Sequence, residues 1–153
     1  MELLQIKALQ RKIAEYPERI SRLQARQKLI VTPSATEIGP AIKGMDAYLL
    51  FLRAGISSYK KLYEEASVDF AGLNSYIENK KSIGEVVSDS ERISLVQIQQ
   101  YMVTIQNYIK IMDSQIDNGE VVKQKLMLAQ KQKEAVDVAN LLYIIKKGDG
   151  YRV

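Results

Sequence analysis

The apolar residues of this chain recur every three or four positions, which is the period of an amphipathic α-helix. Isoleucine and leucine (or tyrosine) alternate in heptad positions, a pattern that favours paired helices. Pro17 removes one backbone hydrogen bond, but the apolar period continues through it, so we predict one helix over residues 2–31, kinked at the proline. The apolar positions of this first seam are Ile6, Leu9, Ile13, Tyr16, Ile20 and Leu23.

A longer apolar pattern occupies the middle of the chain. Its steps of three and four are unbroken, and Pro40 suits the first turn of a helix. The pattern predicts a helix over about residues 41–80, with Gly55 and Gly72 as the places for a bend or an early end. Its inward positions are Ile42, Met45, Leu49, Leu52, Ile56, Tyr59, Tyr63, Ala66, Phe70, Leu73 and Ile77.

Two further helices are predicted in the second half. Ser88 and Glu91 have the spacing of a capping box, which begins a helix. Asp117-Asn118-Gly119 is a turn signal. We therefore expect helices over about 89–117 and 120–146. Their inward residues are Ile98, Met102, Ile105, Ile109, Met112 and Ile116 in the first, and Val122, Leu126, Ala129, Val136 and Tyr143 in the second.

Four such helices predict an all-α fold, an elongated bundle with coiled-coil-like heptad seams, in a single domain over residues 1–153. A chain of 153 residues can bury a core of its own. Its longest wholly apolar run, residues 47–52, is far shorter than the ~20 residues of a membrane span. The first residues do not resemble a signal peptide. We expect a cytoplasmic or virion-associated location.

The amino-acid composition excludes most of the common types of catalytic site. Histidine and cysteine are both absent, so triads built on histidine, thiolate nucleophiles and zinc sites are excluded. We expect no enzyme and no cofactor. Glu64, Glu65 and Asp69 form the one dense acidic cluster, for which a solvated helix face is the main interpretation and a metal site a minor alternative.

The charge is unevenly distributed. Residues 1–31 carry seven basic and three acidic groups, residues 32–117 eight and eleven, and residues 118–153 seven and four. Basic ends and an acidic middle could attract nucleic acid, or could let the ends dock on the middle or on a neighbouring copy.

The basic residues of the first helix fall into two sets. Lys12, Arg19 and Arg26 recur every seven residues along one edge of the seam, and Lys7, Arg11 and Arg22 lie on the outer side. Three interpretations follow. The seam covers the chain's own bundle; or the seam binds another copy, with the edge set against an acidic partner; or the outer set contacts phosphate.

The last dozen residues, Leu142 to Val153, are similar to the opening of a LysM repeat through Lys146-Lys147-Gly148-Asp149. Gly150 stands where such repeats usually have threonine, and the chain ends well short of a whole module. The resemblance implies no peptidoglycan binding by this segment, and it favours a phage-tail or baseplate context slightly.

These observations predict a non-enzymatic structural or assembly protein. It would form a homo-oligomer or join a larger particle, such as a virion, a phage tail or a secretion apparatus, through helical seams. The alternative is a small basic helical protein that binds nucleic acid or regulates a polymerase.

Overall fold

The computed structural model describes residues 3–132 and 136–149, with side chains through Ile145. Within these ranges the chain forms four α-helices and no strand: α1 Leu3–Lys28, α2 Ile38–Ser82, α3 Asp89–Gln132 and α4 Val138–Asp149. The predicted all-α class is confirmed, with three long helices and one short one.

Helix α1 is continuous through Pro17, as the apolar period predicts. The proline ring is exposed, whereas Ile13, Tyr16 and Ile20 are buried on either side of it. Packing of these neighbours holds the helix together where Pro17 cannot donate a hydrogen bond to the carbonyl of Ile13.

The predicted turn at residues 117–119 is wrong, because α3 continues through it to Gln132. Gly119 serves a different purpose there. An ideal Cβ on Gly119 would lie 2.7 Å from Cδ2 of Leu49, so the glycine leaves room for the Leu49 side chain of α2 against α3. Glycine is suited both to a turn and to a close contact between helices. Only the packing in the structure shows which of these two roles Gly119 has.

Helix α2 also runs without interruption past Gly55 and Gly72, where a bend or an end was expected. A Cβ on Gly55 would lie 2.6 Å from Cε of Met112. The flexible end of the Met112 side chain therefore packs against α2 at a second glycine inside a long helix.

The corner between α2 and α3 is closed by two capping motifs. Gly84 has a positive φ of 76°, and the N–H groups of Gly84 and Glu85 donate to the carbonyls of Lys81 and Lys80, the pattern of a Schellman motif. On the other side the predicted capping box forms. The Ser88 N–H donates to Glu91 Oε1 at 3.0 Å, and the Glu91 N–H donates to Ser88 Oγ at 3.1 Å.

The chain divides into two compact units, and α2 and α3 contribute residues to both. Unit 1 comprises Met1–Gln24 and Ser58–Asn107, and α1 supplies part of its core. Its buried apolar residues are Ile6, Ile13, Tyr16, Ile20, Tyr59, Leu62, Ala66, Leu73, Ile77, Val87, Ile98 and Ile105.

Unit 2 comprises Ala25–Ser57 and Tyr108–Val153, and its core joins α2, α3 and α4. Its buried apolar residues are Ala41, Met45, Tyr48, Leu49, Leu52, Ile56, Ile109, Met112, Val122, Leu126, Ala129, Val138, Leu142 and Ile145. Tyr143, predicted to point inward, is 62% exposed. A new helix begins at Val138, so the heptad spacing from Val136 to Tyr143 does not continue the earlier phase. Of the segment that resembles a LysM opening, residues 142–149 belong to α4 and residues 150–153 lie outside the described residues.

Candidate functional site

The first seam lies inside unit 1. Four of its side chains are buried and two are half-buried. The buried ones are Ile6, Ile13, Tyr16 and Ile20, and the half-buried ones are Leu9 and Leu23. The chain's own α2 and α3 cover this seam, so in this structure it is not available to a second copy. The geometry agrees with the first interpretation, in which the seam of α1 packs within the chain's own bundle.

Two of the three edge residues have acidic partners within the same unit. Lys12 Nζ lies 3.0 Å from Asp69 Oδ2 and 3.3 Å from Glu65 Oε1, and Arg19 forms an ion pair with Glu65. Arg26 is exposed and forms no ion pair with any described residue. The acidic flank expected on another copy is therefore supplied to Lys12 and Arg19 by the chain's own helix α2.

These residues surround a buried tyrosine–carboxylate pair. The Tyr16 hydroxyl donates to Asp69 Oδ2 at 2.5 Å. Its ring stacks on Tyr101 at 6.4 Å between centroids, and the Arg19 guanidinium lies 5.2 Å from the ring centre. Burial and the hydrogen bond to Asp69 raise the pKa of Tyr16 far above its usual range. Such a hydroxyl is a poor general base, and the ion pairs already occupy the neighbouring charges, so we interpret the cluster as structural.

Lys12 and Glu65, which flank this pair, are both stabilised in their charged forms by neighbouring opposite charges. Burial lowers the pKa of Lys12, but the hydrogen bond and charge of Asp69 outweigh burial, so the pKa is raised overall. Burial likewise raises the pKa of Glu65, and Arg19 and Lys12 reverse the effect, so that pKa lies below its ordinary value. Across the described residues no group of three or more acidic side chains is arranged to hold a metal ion. Lys12 and Arg19 engage Glu65 and Asp69 of the acidic cluster, whereas Glu64 is exposed. The expectation of a solvated acidic face is therefore wrong for Asp69, which is buried.

The outer basic set does not form an uninterrupted cationic track. Lys7, Arg11 and Arg22 are all exposed. Glu15 and Glu18 fall on the same side of the helix, because they lie four and seven residues after Arg11. Glu18 also accepts an ion pair of 2.7 Å from Arg22. Phosphate approaching this face would meet two carboxylates between the cations.

An exposed apolar face on α2 in unit 2 was not predicted. Ala47, Leu50, Phe51 and Ala54 are spaced by three, one and three residues, so they share one side of the helix. We call these four residues the α2 outer face. Leu50 is 64% and Phe51 56% exposed. The sequence signal is the apolar run of residues 47–52, in which Tyr48, Leu49 and Leu52 are buried and the other three point outward.

The α2 outer face stands on a firmly packed support. Leu49, on the opposite side of α2, lies close to Gly119 of α3, and Met112 of α3 lies close to Gly55, four residues after Phe51. Along one flank, Arg53 forms an ion pair with Glu120, and Asp46 accepts one of 2.6 Å from Lys123. The apolar side chains therefore project from a helix that is held by side-chain packing against α3 and by two ion pairs.

A second uncharged surface lies on α3 in unit 1. Residues 93–109 contain no Asp, Glu, Lys or Arg. Ile93, Val96, Gln100 and Val103, which we call the α3 outer face, are all exposed and share one side of the helix. Most exposed helix faces carry charges, so an uncharged, β-branched face is a feature that the fold of unit 1 alone does not explain.

Two clefts among the described residues of unit 2 offer little chemistry. One of about 110 Å³ lies between residues 33–36 and α4, and its lining includes Ala139, Leu142 and Tyr143. Another, of about 380 Å³ and widely open, is lined mainly by apolar residues together with Lys125, Asp137 and Asn140. Neither combines a nucleophile with a nearby base in the manner of an active site.

Comparisons with protein-family models, with curated proteins and with solved structures give no match. None of the helices in the described ranges combines the length and apolar character needed to cross a membrane. The functional argument therefore depends on the surfaces described above.

Proposed function

We propose that this chain is a non-enzymatic structural protein that associates with copies of itself or with a larger particle through exposed helical faces. A virion, a phage tail or a secretion apparatus is the kind of particle that such a component suits. The surface responsible differs from the one expected from sequence. The seam of α1 is occupied within unit 1, and the outward faces of α2 and α3 take its place.

The single observation that carries this proposal is the α2 outer face. Isolated exposed apolar residues are normal on protein surfaces. Leu50 and Phe51, however, are adjacent, more than half exposed and bordered by Ala47 and Ala54, so they form one continuous apolar area. Continuous exposed apolar areas mark sites of association, because covering them removes apolar surface from water.

The proposal is tested by measuring the mass of the full chain by light scattering at low and high salt, with and without duplex DNA. An assembly protein should exceed the monomer mass at high concentration. Apolar association should persist or strengthen at high salt, because salt screens charges and leaves the apolar contribution intact. A monomer at every concentration that binds DNA only at low salt would contradict the proposal.

A second candidate, a nucleic-acid-binding protein, is supported by Lys7 and Arg11. Both are exposed on α1, and neither forms an ion pair within the described residues. Reversing both to glutamate should then weaken DNA binding and reduce the salt slope by about one per lost contact.

The matched control for that test reverses two exposed lysines of α2, Lys60 and Lys61, with the same change in net charge. A loss confined to the Lys7 and Arg11 variant would favour the nucleic-acid interpretation. Equal losses in both variants would indicate only a general attraction between a basic chain and DNA.

A further inference from the structure

We propose that the α2 outer face binds the same face of a second copy, with the two α2 helices antiparallel and related by a two-fold axis between Leu50 and Phe51. This inference depends on the proposed function, and it specifies the partner and the surface. Ala47, Leu50, Phe51 and Ala54 of each copy would form the contact, and unit 2 alone supplies it.

The sizes of the four side chains are symmetric about the midpoint of the face. Moving outward from the centre, Leu50 corresponds to Phe51 and Ala47 corresponds to Ala54. In a two-fold antiparallel pair, residues at equal distance on opposite sides of the centre meet one another. Large side chains would therefore pack on large ones at the centre, and alanine on alanine at both ends, where small residues let the backbones approach.

The charges beside the face favour the same arrangement. Asp46 and Arg53 lie on one flank of α2, where Lys123 and Glu120 already hold them in place. In the antiparallel pair this flank meets the same flank of the second copy. Asp46 then lies within about two residues' rise, ~3 Å along the axis, of Arg53 from the second copy. The antiparallel arrangement thus brings two pairs of opposite charges near one another, whereas a parallel two-fold pair would place the charged flanks of the two copies on opposite sides of the contact.

The α2 outer face itself contains no charged residue, which removes the main obstacle to self-association in a chain of net charge +4. A second copy of this chain matches both the size symmetry of the face and the opposite charges of its flank, Asp46 and Arg53. These two properties together point to a second copy of this chain as the occupant.

The test is sedimentation velocity of the full chain over a wide concentration range, comparing wild type with Phe51→Lys. Phe51 is exposed in the monomer, so the variant should fold normally, with an unchanged far-UV spectrum and, at concentrations low enough for wild type to be monomeric, an unchanged urea midpoint. Its dimer dissociation constant should rise at least about 30-fold, because a central interface residue is replaced by a charge that meets its own copy. The matched control is Val68→Lys, an exposed apolar residue of the same helix in unit 1, which should leave the constant unchanged.

Single cysteines test the direction of the pair, since the chain has no cysteine of its own. In the antiparallel arrangement Ala47→Cys lies opposite Ala54→Cys of the second copy, whereas two copies of Ala47→Cys are about 10 Å apart along the axis. A mixture of the two variants should form a disulfide-linked dimer under mild oxidation, and each variant alone should not.

Four other outcomes would overturn the inference. Cross-linking of each variant with itself would show a parallel pair. Association that Phe51→Lys leaves unchanged but Val103→Lys abolishes would place the contact on the α3 outer face, and the proposed function would stand. Association unaffected by either variant would exclude both faces. A monomer at every concentration would contradict self-association altogether.

Discussion

The hydroxyl of Tyr16 on α1 and the carboxylate of Asp69 on α2 are joined by a 2.5 Å hydrogen bond across 53 residues of sequence. Both side chains are buried, and Lys12 supplies the positive charge that Asp69 needs at that depth. A buried carboxylate is tolerated only when donors and an opposite charge surround it, so this pair fixes which turn of α1 lies against which turn of α2.

Replacing Tyr16 with phenylalanine should lower the free energy of unfolding by about 1–3 kcal/mol, because Asp69 loses a donor while remaining buried. Urea denaturation followed by circular dichroism measures the change. Tyr143→Phe, which removes a hydroxyl from an exposed ring, should leave the midpoint unchanged. If Tyr16→Phe were equally neutral, Lys12 alone would be sufficient to hold the carboxylate.

Ile13 is fully buried in unit 1, so Ile13→Asp should destabilise the fold by more than about 3 kcal/mol or abolish it. Ala14→Asp, on the exposed side of the same helix, should change stability by no more than about 0.5 kcal/mol. Thermal unfolding of the two variants provides the measurement. A folded Ile13→Asp variant with a normal melting temperature would show that α1 does not pack on this unit in solution.

Gly119→Ala should destabilise the protein by about 1–3 kcal/mol, although alanine is the better helix former. The added methyl would lie 2.7 Å from Leu49 Cδ2 and 3.3 Å from Met45 Cε, so these buried side chains would have to shift. Gly39→Ala is the control, since its Cβ meets no atom within 4 Å. Unfolding midpoints that rise for both variants would disprove the close packing of α2 on α3 at Gly119.

Protonation of Glu91 should lower the free energy of unfolding at acidic pH. Burial raises the pKa of Glu91, but the Ser88 amide and Lys80 outweigh burial, so the folded-state pKa lies below the unfolded value of about 4.5. The unfolded chain then binds more protons between these two values, and stability decreases as pH falls through them. Glu91→Gln should lower the free energy of unfolding by about 1–2 kcal/mol at pH 7.

The difference between wild type and Glu91→Gln should shrink below about pH 4.5, because protonation removes the charge from wild type as well. Urea titrations at pH 7 and at pH 3 give the two differences. Glu85→Gln, at an exposed neighbour in the same corner whose side chain takes no part in the capping box, is the matched control. A constant difference at both pH values would mean that the Glu91 charge contributes nothing.

Much of the fold follows from apolar period alone. The heptad positions of α2, such as Met45, Leu52 and Leu73, are buried as predicted, and the capping box at Ser88 begins α3 where expected. Local signals of this kind reflect the geometry of a single helix, which sequence spacing determines. Glycine is the exception, because Gly119 responds to a contact with another helix that spacing cannot show.

The candidate surface could not be inferred from the seam. Sequence spacing shows that Ile13 and Tyr16 form an apolar stripe, but it does not show whether α2 or another copy covers the stripe. The sequence feature that indicated an exposed apolar face was instead the apolar run of residues 47–52. Six consecutive apolar residues on a helix must place some of them away from the core, and Leu50 and Phe51 are those residues.

The corner with Gly84 and Ser88 also bears on the order in which unit 1 assembles. Its capping bonds join residues no more than five apart, so forming them closes only a very short loop. The hydrogen bond between Lys12 and Asp69 joins residues that are 57 positions apart, so forming it closes a much longer loop. Local contacts form first when loop closure limits the rate, so the α2–α3 hairpin of unit 1 should nucleate folding and α1 should dock afterwards. The apolar stripe of α1 is then the last part of unit 1 to be shielded from water during synthesis and refolding.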